Sequence, residues 1–140
     1  MDDYYMNLAL KEAKKAYKHN EVPVGAIIVK GGKILSKAHN KKEKSKNTIN
    51  HAEILCISKA CKKIKNWRLD DCDIYITLEP CMMCCGAIKQ ARIKKIVYAV
   101  RNVNDGCTDC LNNIEIVSKI KETECKKMIQ DFFKRKRQNL

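Results

Sequence analysis

Proline and glycine are scarce in this chain, two and five in 140 residues, and neither an internal repeat nor a low-complexity tract interrupts it. That leaves no linker of the kind that joins separate domains, so residues 1–140 are read as a single domain. An apolar run near the roughly 20 residues of a membrane span is also missing. The opening Met1-Asp2-Asp3-Tyr4-Tyr5 offers neither the basic nor the apolar segment of a secretory signal. Acidic residues are outnumbered, 16 against 29 lysines and arginines, giving a formal charge of +13. The excess fits an anionic partner larger than a metabolite. It fits a lysine-rich coding bias equally well until the charge is located.

What is present is an apolar fraction of 45%, enough to bury a core without disulfide staples. Nine cysteines would read as a disulfide framework in a secreted protein. Here they are expected to be reduced thiols of a cytoplasmic protein, two of them binding metal and most of the others packing as small core residues.

Tyr5, Leu8, Ala9, Ala13, Ala16 and Tyr17 form one stripe at helical spacing over residues 3–19, with Asp2 or Asp3 as the N-cap. Val24–Lys30 and Lys33–Ala38 read as strands around Gly31-Gly32, a dipeptide suited to a tight hairpin turn. Residues 40–50 are polar and aperiodic, a loop. His51–Lys65 and Cys81–Ala91 read as two helices buried on most of their surface. Asp73–Leu78 and Lys95–Val100 are strands flanking the second of them, which implies a parallel pair with a right-handed crossover. Ile114–Val117 supplies a short fifth strand. Cys125, Met128, Ile129, Phe132 and Phe133 then mark a helix lying on the core, within a basic C-terminal segment at about 122–140. The fold class is α/β, a three-layer α/β/α arrangement with a central five-stranded sheet.

The chemistry concentrates in His51-Ala52-Glu53 and Pro80-Cys81-Met82-Met83-Cys84. His51, Cys81 and Cys84 offer three zinc ligands. Closed structural sites use four protein ligands, whereas catalytic sites leave a position for water. Pro80 suits a first helical turn, which puts Cys81 and Cys84 on one face at i and i+3, where the helix dipole favours thiolates. With Asn50 as N-cap, His51 sits at the mouth of its own helix. Glu53 has two readings: a general acid/base beside the metal, or the N3 member of a capping box with Asn50. The company of His51 and the downstream Pro-Cys-x-x-Cys favours the first. For Cys81 and Cys84 the alternatives are a redox pair or a closed site with Cys85 as fourth ligand. Adjacent helical residues diverge by about 100°, which strains joint ligation by Cys84 and Cys85.

H-x-E with P-C-x-x-C is the signature of the zinc-dependent nucleobase deaminases, and the chain resembles that family, more narrowly its bacterial tRNA-specific adenosine deaminase branch. The resemblance runs through EVPVGA at 21–26, Asn40, HAEI at 51–54, NWRL at 66–69, TLEPCMMC at 77–84 with Gly86-Ala87, ARIKKIVYA at 91–99 and DFFKRKRQ at 131–138. It implies a cytidine deaminase-like fold with a mixed sheet, one Zn²⁺ per subunit on His51, Cys81 and Cys84, and Glu53 as proton shuttle. It also implies hydrolytic conversion of adenosine to inosine at wobble position A34 of a tRNA anticodon, typically of an arginine tRNA, by a homodimer. Asn40, Ala52, Arg101 and Asn102 are the substrate contacts it suggests; a plain turn-forming role is the alternative for Asn40. Asn102 stands where some relatives carry Asp, and the 111–116 region is shorter than in longer relatives. Cys107 and Cys110 form a second C-x-x-C, without a second histidine pair, and are read as loop thiols, with a second zinc site as the alternative.

The charge has a location too. Lys134-Arg135-Lys136-Arg137 follows Phe132-Phe133 directly, so Phe132, Phe133 and Lys134 are candidate contacts for splayed anticodon bases and their phosphates. Helical spacing assigns at least one of the two phenylalanines to the core. Two other functions compete: deamination of a free base or nucleotide (guanine, cytidine or dCMP), and RNA binding without catalysis around a structural zinc.

Overall fold

The computed structural model describes residues 1–138; the last two residues of the expected 122–140 basic segment lie outside the described residues. Among the described residues, β1 (Gly25–Lys30), β2 (Lys33–His39), β3 (Cys72–Leu78), β4 (Lys95–Val100) and β5 (Glu115–Val117) make one sheet in the order β2-β1-β3-β4-β5. β1 runs antiparallel to β2 and β3, and β3, β4 and β5 are mutually parallel, so the sheet is mixed. Gly31 and Gly32, at φ 53° and 77°, turn the β1–β2 hairpin in the backbone region that an L side chain resists.

Alternate residues of each strand serve opposite layers because the pleat has a period of two. Ile27, Val29, Tyr75 and Val97 pack toward α1 (Asp2–Lys18) and α5 (Glu122–Gln138). Ala26, Ile28, Ile74, Ile76 and Ile96 pack toward α3 (Ala52–Ile64) and α4 (Met82–Gln90). Covering on both faces explains why β1, β3 and β4 read as nearly continuous apolar runs. α1 lies so close to β1 that a Cβ at Gly25 would collide with the Ala9 carbonyl and sit 2.6 Å from the Ala13 nitrogen.

Several local expectations change. α1 is capped by Met1, so Asp2 and Asp3 lie inside the first turn. They favour the positive end of the helix there, and Asp2 Oδ1 accepts the Tyr75 hydroxyl at 2.7 Å. The expected 40–50 loop contains a one-turn helix, α2 (Lys42–Ser45), without a single buried residue and hence without an apolar pattern to reveal it. α3 and α4 are one-sided rather than buried all round: α3 buries Ala52, Glu53, Cys56 and Ala60 but exposes Lys59, Lys62 and Lys63. Among the described residues no helix is long and apolar enough to cross a membrane.

Candidate active site

Two helix N-termini meet beyond the C-terminal end of β3. His51 is the N-cap of α3 and Cys81 the N-cap of α4, both in extended backbone conformations, while Cys84 sits in the first turn of α4. Each helix therefore begins one residue later than expected. Asn50 lies before the cap, its side chain donating to Ser45 Oγ at 2.9 Å, and Pro80 precedes the Cys81 cap instead of entering the first turn of α4.

His51 Nδ1 lies 3.7 Å from Cys81 Sγ and 3.6 Å from Cys84 Sγ, and the three donor atoms all fall within 4.8 Å of one another. Zinc–sulfur bonds of about 2.3 Å and zinc–nitrogen bonds of about 2.0–2.1 Å give a tetrahedral S···N edge of about 3.6 Å. The donor set and its spacing thus fit a metal ion of that kind, with His51 ligating through Nδ1. Cys85 is turned away, its thiol donating to the Pro80 carbonyl at 3.5 Å. Without an ion the trio shares its protons. Hydrogen bonds from Cys84 and His51 hold Cys81 down at about 3, while the same contact pushes the Cys84 thiol far up. Hydrogen bonding to Cys81 likewise raises His51.

Glu53 is 4% exposed and occupies the second position of α3. No side-chain hydrogen bond caps this helix, so the capping-box alternative is not realised. Burial raises its carboxyl to about 7, against the opposing pull of its own backbone N–H and of His51. A carboxyl poised near neutrality beside a three-donor metal group is suited to taking and returning protons.

A cavity of about 780 Å³ opens onto His51, Glu53 and Cys81. Of the expected substrate contacts, Asn40, Ala52, Arg101, Asn102 and Phe133 line it. Asn40 also carries its turn-forming role, with Oδ1 accepting the Lys42 N–H at 3.1 Å and Nδ2 donating to the Val22 carbonyl at 3.3 Å. The phenylalanine pair divides. Phe133 is 42% exposed, whereas Phe132 is buried with its ring edge-on to Tyr17 at 5.8 Å, because consecutive helical residues face different ways. Phe132 is therefore a core residue holding α5 against α1. Lys134 is exposed but lies off the cavity wall.

Sequence reasoning missed Lys42, Lys126 and Gln130 on the same wall. The α5 pair could have been found by following the helical face of Phe133 backward by three residues to Gln130 and by four more to Lys126. It also missed Glu21, buried and accepting the backbone N–H of Glu43 at 2.9 Å and Lys44 at 2.7 Å.

A family profile described as MafB19-like deaminase matches residues 1–137. The tRNA-specific adenosine deaminase of Bacillus subtilis is 42% identical over 143 residues, spanning 95% of this chain and 89% of that protein. The chain belongs to this deaminase family. Among solved structures, one from a study of A-to-I editing by tRNA:A34 deaminases at the wobble position of transfer RNA superposes with a TM-score of 0.84 at 32% identity, covering 89% of this chain and 98% of that one. A guanine deaminase from Bacillus subtilis superposes with a TM-score of 0.68 at 37% identity, over 72% of this chain and 65% of that one. Family membership agrees with the cytidine deaminase-like architecture expected from the sequence, and with a His/Cys/Cys group positioned for a metal.

Proposed function

We propose that this chain is a single-domain, zinc-dependent deaminase that converts adenosine to inosine at wobble position A34 of tRNA anticodons. The observation that carries this reading is the placement of Glu53, a nearly buried carboxyl, beside the His51/Cys81/Cys84 group at a cavity that Lys42, Arg101 and Lys126 also line. Likeness to tRNA-specific adenosine deaminases along almost the whole chain supports the choice of substrate.

Zinc held by His51, Cys81 and Cys84, one ion per subunit, supplies the Lewis acidity that makes water a nucleophile at neutral pH. Glu53 takes the first proton from the attacking water and delivers it to N1 of the purine ring, then carries the second from the new C6 hydroxyl to the departing amine as the C6 carbonyl forms, so adenosine and water give inosine and ammonia. Asn40, Ala52, Arg101, Asn102 and Phe133 bind the extruded base and its neighbours, and the Lys134–Arg137 run adds phosphate contacts. The acceptor is an anticodon stem-loop, of an arginine tRNA first of all, met by a cytoplasmic homodimer.

The guanine deaminase likeness keeps a free-base reading in play. Incubating the protein with an A34 anticodon stem-loop, free guanine, cytidine and dCMP separates the two. Inosine at position 34 is expected; turnover of only the small molecules overturns the proposal.

A further inference from the structure

Glu79 stands two residues before Cys81, is 5% exposed, and lines the cavity without belonging to the metal group. No ion pair among the described residues involves it. Its carboxylate is engaged by the following loop instead: Oε1 accepts the Asn102 N–H at 3.1 Å, and Oε2 accepts both the Thr108 N–H at 3.2 Å and the Thr108 hydroxyl. The loop closes tightly around it. Gly106 N donates to the Asn102 carbonyl at 2.8 Å and Cys107 N to the Pro80 carbonyl at 3.2 Å, and Gly106 forms an isolated antiparallel bridge with Cys81. A Cβ at Gly106 would collide with the Glu79 carboxylate and lie 2.5 Å from the Asn102 oxygen. The enclosed residues, Asn102 to Asp105, all line the cavity.

We infer that Glu79 is a positioning residue for the deamination: it fixes the 102–108 loop as the wall that holds the strand next to the target base, and it registers that wall against the Cys81 ligand. The assignment rests on the proposed RNA substrate. Three features argue for it over generic core packing. All three donors belong to one loop, both ends of that loop are gathered onto one side chain, and a carboxylate offers only acceptors there. Glutamine has nearly the same shape but turns an NH₂ group toward a backbone N–H donor, so it breaks the contact while preserving volume. Losing hydrogen bonds to a charged group is worth roughly a tenfold to hundredfold change.

The test compares the zinc-loaded wild type with Glu79→Gln and, from the other end of the contact, Thr108→Val. Expected for both variants are wild-type zinc content, faster amide exchange at Asn102 and Thr108, and a KM for an A34 stem-loop raised roughly tenfold with kcat changed far less. The effects should be less than additive in the double variant. A wild-type KM in both single variants, or a loss residing in kcat and accompanied by loss of zinc, overturns the assignment. Should Glu79→Gln not fold, Thr108→Val carries the same criteria alone. The amide exchange readout needs no substrate. Failure of the RNA reading would therefore appear as wild-type inactivity on the stem-loop, and failure of this inference as unchanged exchange and KM.

Discussion

The Glu21 carboxylate accepts the Lys44 N–H at 2.7 Å, and the Glu43 N–H beside it at 2.9 Å, capping α2 from a residue more than twenty positions away. A four-residue helix has almost no intrinsic stability, and α2 buries none of its own side chains. The anchor therefore works with the Asn40 contact to the Lys42 N–H in holding Lys42 at the cavity. Glu21→Ala is expected to destabilise the protein by about 1–3 kcal/mol in denaturant unfolding. It should also raise amide exchange at Glu43 and Lys44. Unchanged exchange there would remove the capping role.

Glu53→Ala should leave zinc content and the far-ultraviolet circular dichroism intact while lowering kcat by about 10²-fold to 10⁴-fold or more, the range for a lost general acid/base. Retained activity would contradict the proton-shuttle assignment.

The pH response of Glu53 has a definite sign. Burial, the largest cause, lifts its carboxyl from 4.5 to about 7 in the ion-free chain. The folded chain then holds a proton that the unfolded chain releases, so this group's contribution is complete below about pH 4.5 and is lost as pH rises toward about 7. Glu53→Gln lacks that titration. After chelation, the stability of Glu53→Gln relative to wild type is expected to climb by up to about 3 kcal/mol between those limits and then level off. A flat difference across the window would refute the burial argument.

Metal affinity should fall on acidification. Cys84 and His51 both have raised values without the ion, so binding must displace their protons. Competition against a chromophoric chelator at pH 8 and pH 6 should show weaker binding at the lower pH. Cys84→Ala should bind the ion poorly at both.

Phe132 and Phe133 should separate by phenotype. Phe132→Ala is expected to lower stability by about 3–5 kcal/mol, the usual cost for a buried phenylalanine. Phe133→Ala should leave the melting temperature near wild type but weaken binding of the anticodon stem-loop. Reversed phenotypes would put the wrong ring at the cavity.

The architecture was legible because burial writes itself into sequence. Ile27 and Ile28 face opposite layers and both are apolar, and the Gly31-Gly32 turn announces its own backbone. The metal donors were legible because their spacing is local to two helix starts. The exact starts were not, since Asn50 lies one residue before the His51 cap and Pro80 precedes the Cys81 cap rather than entering the first turn. Glu21 and Glu79 fell within the segments that carry the resemblance, but their roles went unread because their partners are largely backbone N–H groups, which every residue but proline possesses. Periodicity brought Phe132 and Phe133 to the same helix but could not say which ring α1 would cover.

The three donors come from positions 51, 81 and 84, so the interval between His51 and Cys81 contains α3 and the whole of β3. An ion held there ties the start of one layer helix to the start of the next, closing a long loop of chain with a removable bond. Chelation would thus cut a cross-link as well as empty a reaction centre, and heat and metal depletion should act on this protein as partners, each lowering the dose of the other needed to unfold it.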